Sequence, residues 1–123
     1  MDILDFRNYC MKLKGVEETL PFDEDTLVFK VMGKMFALTS ISKFERINLK
    51  CDPELAIELR EQYEAVQPGY HMSKKHWNSV YINGSIPDHL VKKWVVNSYD
   101  LVISRFTKKM KLEYDSLDEL KQL

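Results

Sequence analysis

Residues 27–39 read Leu27-Val28-Phe29-Lys30-Val31-Met32-Gly33-Lys34-Met35-Phe36-Ala37-Leu38-Thr39. Leu27, Phe29 and Val31 recur with period two against Val28, Lys30 and Met32, the pattern of a strand with two distinct faces. Gly33 permits a tight reversal, and Phe36 and Leu38 then alternate with Ala37 and Thr39 along Met35–Ile41. Two alternating runs joined at a glycine predict a β-hairpin. Downstream, Ile47 and Leu49 alternate with Arg46, Asn48 and Lys50, so a third strand is expected over Arg46–Lys50.

The flanks change period. Ile3, Phe6, Cys10 and Leu13 recur at helical spacing before Gly15, which predicts a helix over residues 2–14. Asp52-Pro53-Glu54 opens another: an acidic cap for the free amides, a proline in the first turn, and an acid in the favourable end of the dipole. Leu55, Leu59 and Tyr63 give it one apolar face ending near Glu64. Residues 66–77 keep no period, with room for one short strand. Val80 and Ile82 then alternate with Ser79 and Tyr81 over Asn78–Asn83, before the turn Asn83-Gly84. From Pro87 a continuous stripe of Leu90, Val91, Trp94, Val95, Ser98, Leu101, Val102 and Phe106 predicts the main helix. In the C-terminal tail, residues 107–123, Ser116 and Glu119 have capping-box spacing ahead of Leu117 and Leu120, which suggests a last turn of helix. Together the elements predict an α+β two-layer sandwich, a mainly antiparallel sheet with helices packed on one face.

At 123 residues, 45% hydrophobic and 30% charged, the chain has the length and composition of one folded domain over residues 1–123. No segment approaches the roughly 18 apolar residues of a membrane span. Met-Asp-Ile-Leu-Asp-Phe-Arg places acids where a secretory signal carries positive charge, so a cytoplasmic location is expected. Cys10 and Cys51 are then read as free core thiols. Eighteen basic residues against nineteen acidic ones exclude a strongly basic nucleic-acid binder, and only a local patch can supply that function.

Strand parity defines such a patch. With Leu27, Phe29, Val31, Phe36, Leu38, Ile47, Leu49, Val80 and Ile82 toward the helices, Lys30, Thr39, Arg46, Asn48, Lys50, Ser79 and Tyr81 point away, and Trp77 shares their side. Lys30, Arg46 and Lys50 beside Trp77 and Tyr81 combine phosphate-holding cations with rings on which bases stack. The plainer reading is a solvated face with Trp77 tucked under the 66–77 loop. An alternative uses the loop Pro68-Gly69-Tyr70-His71-Met72-Ser73-Lys74-Lys75-His76-Trp77-Asn78. There Tyr70, Met72, His76 and Trp77 line a groove for a planar ligand or a partner chain.

Catalytic patterns are missing. Ser73, His76 and Asp52 form a triad only on paper, without a nucleophile elbow or phosphate loop, so no enzyme is expected. His71 and His76 lack the spacing and companion ligands of a zinc site, so neither metal nor cofactor is expected. Cys51, just before a helix start, is reactive only if that dipole reaches an exposed thiol.

Several ordered motifs carry a family resemblance: Pro21-Phe22-Asp23, Val28-Phe29-Lys30-Val31, Gly33-Lys34-Met35-Phe36-Ala37-Leu38, Leu49-Lys50-Cys51-Asp52-Pro53, Pro68-Gly69-Tyr70-His71-Met72, His76-Trp77-Asn78 and Ser98-Tyr99-Asp100-Leu101-Val102. From residue 1 to about residue 106 the chain resembles the MmcQ/YjbR family. The resemblance implies a frataxin/CyaY-like α–β sandwich and a DNA-binding role through two hairpin wings. On that reading Lys34 at the hairpin tip, Lys43 in the next turn, and Lys74 and Lys75 in the loop grip backbone phosphates.

Overall fold

The computed structural model describes residues 1–121, with side chains through residue 117. In chain order the elements are α1 (Ile3–Met11), β1 (Val16–Thr19), β2 (Thr26–Val31), β3 (Lys34–Ser40), β4 (Arg46–Lys50), α2 (Pro53–Gln62), β5 (Val66–Pro68), β6 (Trp77–Tyr81), α3 (Asp88–Ser104) and α4 (Lys108–Lys121). The strands form one antiparallel sheet in the order β1-β2-β3-β4-β6-β5. Helix α3 lies across β2, β3 and β4, α1 against β1, and α2 against β5 and β6. The α+β class, the antiparallel sheet and the helical face agree with the sequence.

Local chemistry explains the ends. Asp2 and Asp5 close α1 with reciprocal side-chain to backbone bonds, and the Asp52 carboxylate accepts from the amides of Glu54 and Leu55. The hairpin turns through Met32 (φ 49°) and Gly33 (φ 77°). Two successive left-handed residues make the type I′ turn whose twist suits a two-residue hairpin. Glycine takes that conformation freely, whereas Met32 holds it at a cost of about 1–2 kcal/mol.

One irregularity in this hairpin corrects the parity of β3. Phe29 pairs with Ala37 but Lys30 with Met35, so Phe36 is an extra residue in β3. Past this bulge the alternation is inverted: Phe36 and Ala37 both join the helix-side core. Leu38, opposite Val28 and Asn48, therefore faces away from the helices, and Thr39, opposite Leu27 and Ile47, faces them. Both are the reverse of strict alternation. The Thr39 hydroxyl is satisfied by donating to the Arg46 carbonyl at 2.8 Å.

The bulge is stapled from above. Ser98, fully buried on α3, donates its hydroxyl to the Phe36 carbonyl at 2.6 Å and accepts the Lys50 amide at 2.9 Å. One side chain thus satisfies backbone groups on two strands beneath the main helix.

Two elements differ from expectation. Strand β1 has no alternating apolar signature because it is an edge. It is held by pairing to β2 and by the bidentate pair of Arg7 with Glu18, both contacts at 2.6 Å. Helix α4 runs unbroken through Ser116, whose hydroxyl donates back to the Glu113 carbonyl at 2.7 Å instead of capping a helix start. The side chains of Glu119 and Leu120, the rest of that capping pattern, lie outside the described residues. Tyr114 docks α4, its hydroxyl 2.6 Å from that of Tyr99 and its ring edge-on to Phe106.

Candidate functional site

The face away from the helices has a small core of its own. Val28, Leu38 and Trp77 are buried there, with Met35 and Met72 packed over them. The indole is 7% exposed, so the expected side of the sheet is right, while the ring is covered and presents no open face for stacking. Its cover is the segment 69–76.

That segment is fixed by backbone and side-chain bonds. The Gly69 amide donates to the Trp77 carbonyl at 2.9 Å and the Trp77 amide to the Ser73 carbonyl at 2.9 Å. Tyr70 donates its amide to the Ser79 hydroxyl (2.9 Å), which donates to Asn48 Oδ1 (2.5 Å), and Asn48 Nδ2 donates to the Tyr70 carbonyl (3.2 Å). From α2, Arg60 reaches Asn78 Oδ1 at 2.7 Å and the Lys74 carbonyl. A Cβ on Gly69 would lie 2.7 Å from Trp77 Cβ and 2.9 Å from its carbonyl oxygen, so only glycine lets the loop approach this closely. His71 has φ 58°, a strained conformation of the kind that concentrates at functional sites.

Between this loop and the β1–β2 connection runs a groove of about 600 Å³. Leu38 and Met72 supply apolar surface, Tyr70 and the 64%-exposed Phe22 supply rings, and Lys43 and Arg46 supply cations. The Arg46 guanidinium sits 4.0 Å over the Tyr70 ring and 3.5 Å from the Glu45 carboxylate. Across the groove, Asp25 accepts from the Ser40 hydroxyl (2.5 Å) and the Ser42 amide (2.8 Å). The Ser40 bond, then those from Ser42, hold its carboxyl below the usual aspartate range. Asp23 is held low likewise, chiefly by the amides of Thr26 and Asp25, and this turn presents Phe22. The groove therefore balances Lys43 and Arg46 against Asp25 and Glu45.

The expected residues separate into groups. Lys43, Arg46, Tyr70 and Met72 meet at the groove, whereas Lys34, Lys50 and Trp77 meet at the opposite end of β3 and β4. Lys30 stands on the outer face opposite Glu17 and Met35. Lys74 and Lys75 are both exposed, and the Lys74 ammonium bends back onto its own loop, donating to the Gly69 carbonyl at 3.2 Å. Tyr81 pairs with Arg46 but packs partly on the main core. His76 is half-buried and acts through its carbonyl, which accepts the Cys51 amide at 2.8 Å. Phe22, Asp25, Leu38 and His71 were not foreseen in the groove: Leu38 was hidden by the bulge, and the left-handed His71 has no sequence signal.

Cys51 is not activated by the helix it precedes. Burial, and then the negative charge of Asp52, push its thiol up to about 11. Burial likewise raises Cys10.

This architecture defines an α+β class already seen in crystals. The crystal structure of Deinococcus radiodurans protein DR2400, a DUF419 domain, is similar with a TM-score of 0.86 and 42% identity, covering 92% of this chain and 87% of that one. A protein from Pseudomonas syringae is similar with a TM-score of 0.71 and 28% identity, over 82% and 98% of the two chains. The chain belongs to the YjbR family, whose model matches residues 11–101. It is 36% identical to Escherichia coli O157:H7 uncharacterized protein YbdF over 84% of this chain and 85% of that one. With Escherichia coli K12 uncharacterized protein YjbR it shares 34% identity over 85% and 89%. Among the described residues, no helix is long and apolar enough to cross a membrane.

Proposed function

We propose that this protein binds a planar aromatic small molecule in the outer-face groove, with the ligand's polar end toward Arg46. The observation that carries this reading is the Arg46 guanidinium stacked on Tyr70, on a loop already locked by the Asn48–Ser79 network. A side chain stacked and ion-paired in advance loses little freedom when a ligand arrives. Leu38, Met72 and Phe22 offer apolar contact to a ring, and the balanced charge suits a ligand with at most one charged group. The groove's volume lies within the range of small-molecule sites.

Nucleic-acid binding through Lys30, Lys34, Lys43, Arg46, Lys50, Lys74 and Lys75 is the competing reading. With Trp77 covered, it rests on phosphate contacts, whose affinity falls steeply with salt.

The test is a titration of protein carrying ¹³C-methyl methionine with salicylate and 2-naphthoate, and separately with single- and double-stranded oligonucleotides at two salt concentrations. The aromatic acids are expected to shift the Met72 methyl saturably, and Tyr70→Ala and Arg46→Ala to weaken that binding about tenfold or more. No saturable Met72 response to either acid overturns the proposal. Oligonucleotide binding that weakens with salt and is lost in lysine variants, with the acids silent, replaces it with the nucleic-acid reading.

A further inference from the structure

A second concavity opens at the other end of the outer face, where the hairpin tip, the end of β4, the start of β6 and the end of α3 converge. Lys34, Lys50 and Arg105 supply its charge and Met35, Trp77 and Phe106 its apolar wall, around about 360 Å³. Lys50 and Trp77 are direct partners across β4 and β6, so their side chains leave the sheet next to each other on the same face.

Among the described residues these cations form no salt bridge. Arg7 is engaged by Glu18, Arg46 by Glu45, and Arg60 by Asn78 and the Lys74 carbonyl. Neither Arg105 nor Lys34 nor Lys50 has a salt-bridge partner among the described residues. Burial, then the charges of Arg105 and Lys34, push the Lys50 ammonium below its ordinary value. The C-terminal end of α3 offsets only about half a charge. Like charges gathered at a half-buried, partly apolar cleft repel one another, and an anion bound between them removes that repulsion.

We propose that this cleft binds the oxyanion group of a small molecule, a phosphate or a carboxylate, with the molecule's apolar body against Met35 and the small exposed parts of Trp77 and Phe106. Lys50, the cross-strand neighbour of Trp77, and Arg105 hold the anion by charge-assisted hydrogen bonds, with Arg105 able to engage two oxygens at once. Lys34 contributes its charge from the hairpin tip. The site is separate from the groove at Arg46, and either stands if the other fails.

The probes are inorganic phosphate, phenyl phosphate and phenylmalonate, and the readout is the Trp77 indole N–H resonance, assigned by its loss in Trp77→Phe. Saturable shifts are expected, tighter for phenyl phosphate than for inorganic phosphate. Lys50→Met and Arg105→Gln should each weaken binding about tenfold or more, and Arg46→Ala should leave it unchanged. Both cleft variants remove a repelling charge, so their melting temperatures without ligand should equal or exceed that of the wild type. Phosphate should raise the wild-type melting temperature beyond chloride at matched ionic strength. A tighter fit for phenyl phosphate assigns the phosphate source, and a tighter fit for phenylmalonate the carboxylate source. The proposal is overturned if no probe gives a saturable shift, if the cleft variants bind as the wild type does, if the phenyl group adds nothing, or if only oligonucleotides bind.

Discussion

Ser98→Ala isolates the staple between the main helix and the sheet. The hydroxyl serves two backbone groups, the Phe36 carbonyl at the bulge and the Lys50 amide at the end of β4, and Ser98 itself is inaccessible to solvent. Alanine fits without strain and removes both bonds, leaving a buried acceptor and a buried donor with no replacement. A buried polar group stripped of its partner costs about 1–3 kcal/mol, so the two together should cost about 2–6 kcal/mol. That is a large fraction of the roughly 5–15 kcal/mol that keeps a domain folded. For a chain of this size each kcal/mol lowers the melting temperature by about 3–6 °C, so a fall of roughly 6–36 °C is expected. Urea unfolding followed by circular dichroism checks it: the midpoint should drop with an unchanged slope, since the surface exposed on unfolding is the same. A loss below about 1 kcal/mol would refute the reasoning, because it would mean that water or an alternative partner reaches the Phe36 carbonyl and the Lys50 amide.

Three further outcomes follow from the geometry. Gly69→Ala must displace Trp77 or Met72, given the 2.7 Å approach to Trp77 Cβ; a loss of about 1–3 kcal/mol is expected, with the Met72 methyl resonance moved, and an unchanged spectrum would contradict the close approach. Glu18 is held below its ordinary value of 4.5, first by its hydrogen bond to Arg7; a depressed folded value means that its stabilisation is full above that pH and is lost as pH falls through the lowered value. The stability gap between wild type and Glu18→Gln should therefore be constant from about pH 6 to pH 7 and shrink on acidification below about pH 4.5, and a gap that widens there would reverse the sign. With its thiol near 11, Cys51 should react with a thiol reagent at pH 8 about a hundredfold more slowly than a free cysteine; a rate matching that of the unfolded protein would show an open thiol.

How far the sequence could be read depended on whether one residue's placement was decided by its neighbours in the chain or by a distant element. Alternation in β2 and β4 and the helical stripe of α3 are local patterns, and they located the sheet, its helical face and the outward side of Lys30, Arg46, Lys50 and Trp77. The reversal after Phe36 is not local. An extra residue in β3 is tolerated because Ser98, sixty-two positions away, donates its hydroxyl to the displaced carbonyl, and only from there do Leu38 and Thr39 exchange faces. The same exchange changes the outer face itself. Leu38 turned outward gives Val28 and Trp77 something to pack against, so the face becomes a second small core under a fitted loop instead of an open platform of rings and lysines. With the indole covered, chemistry on this face is left to the two ends of the sheet: the charge-balanced groove at Arg46 and the cluster of cations around Lys50. Arg105 completes the second end from the C-terminal cap of α3, off its apolar stripe, which is why no pattern along the chain pointed to it.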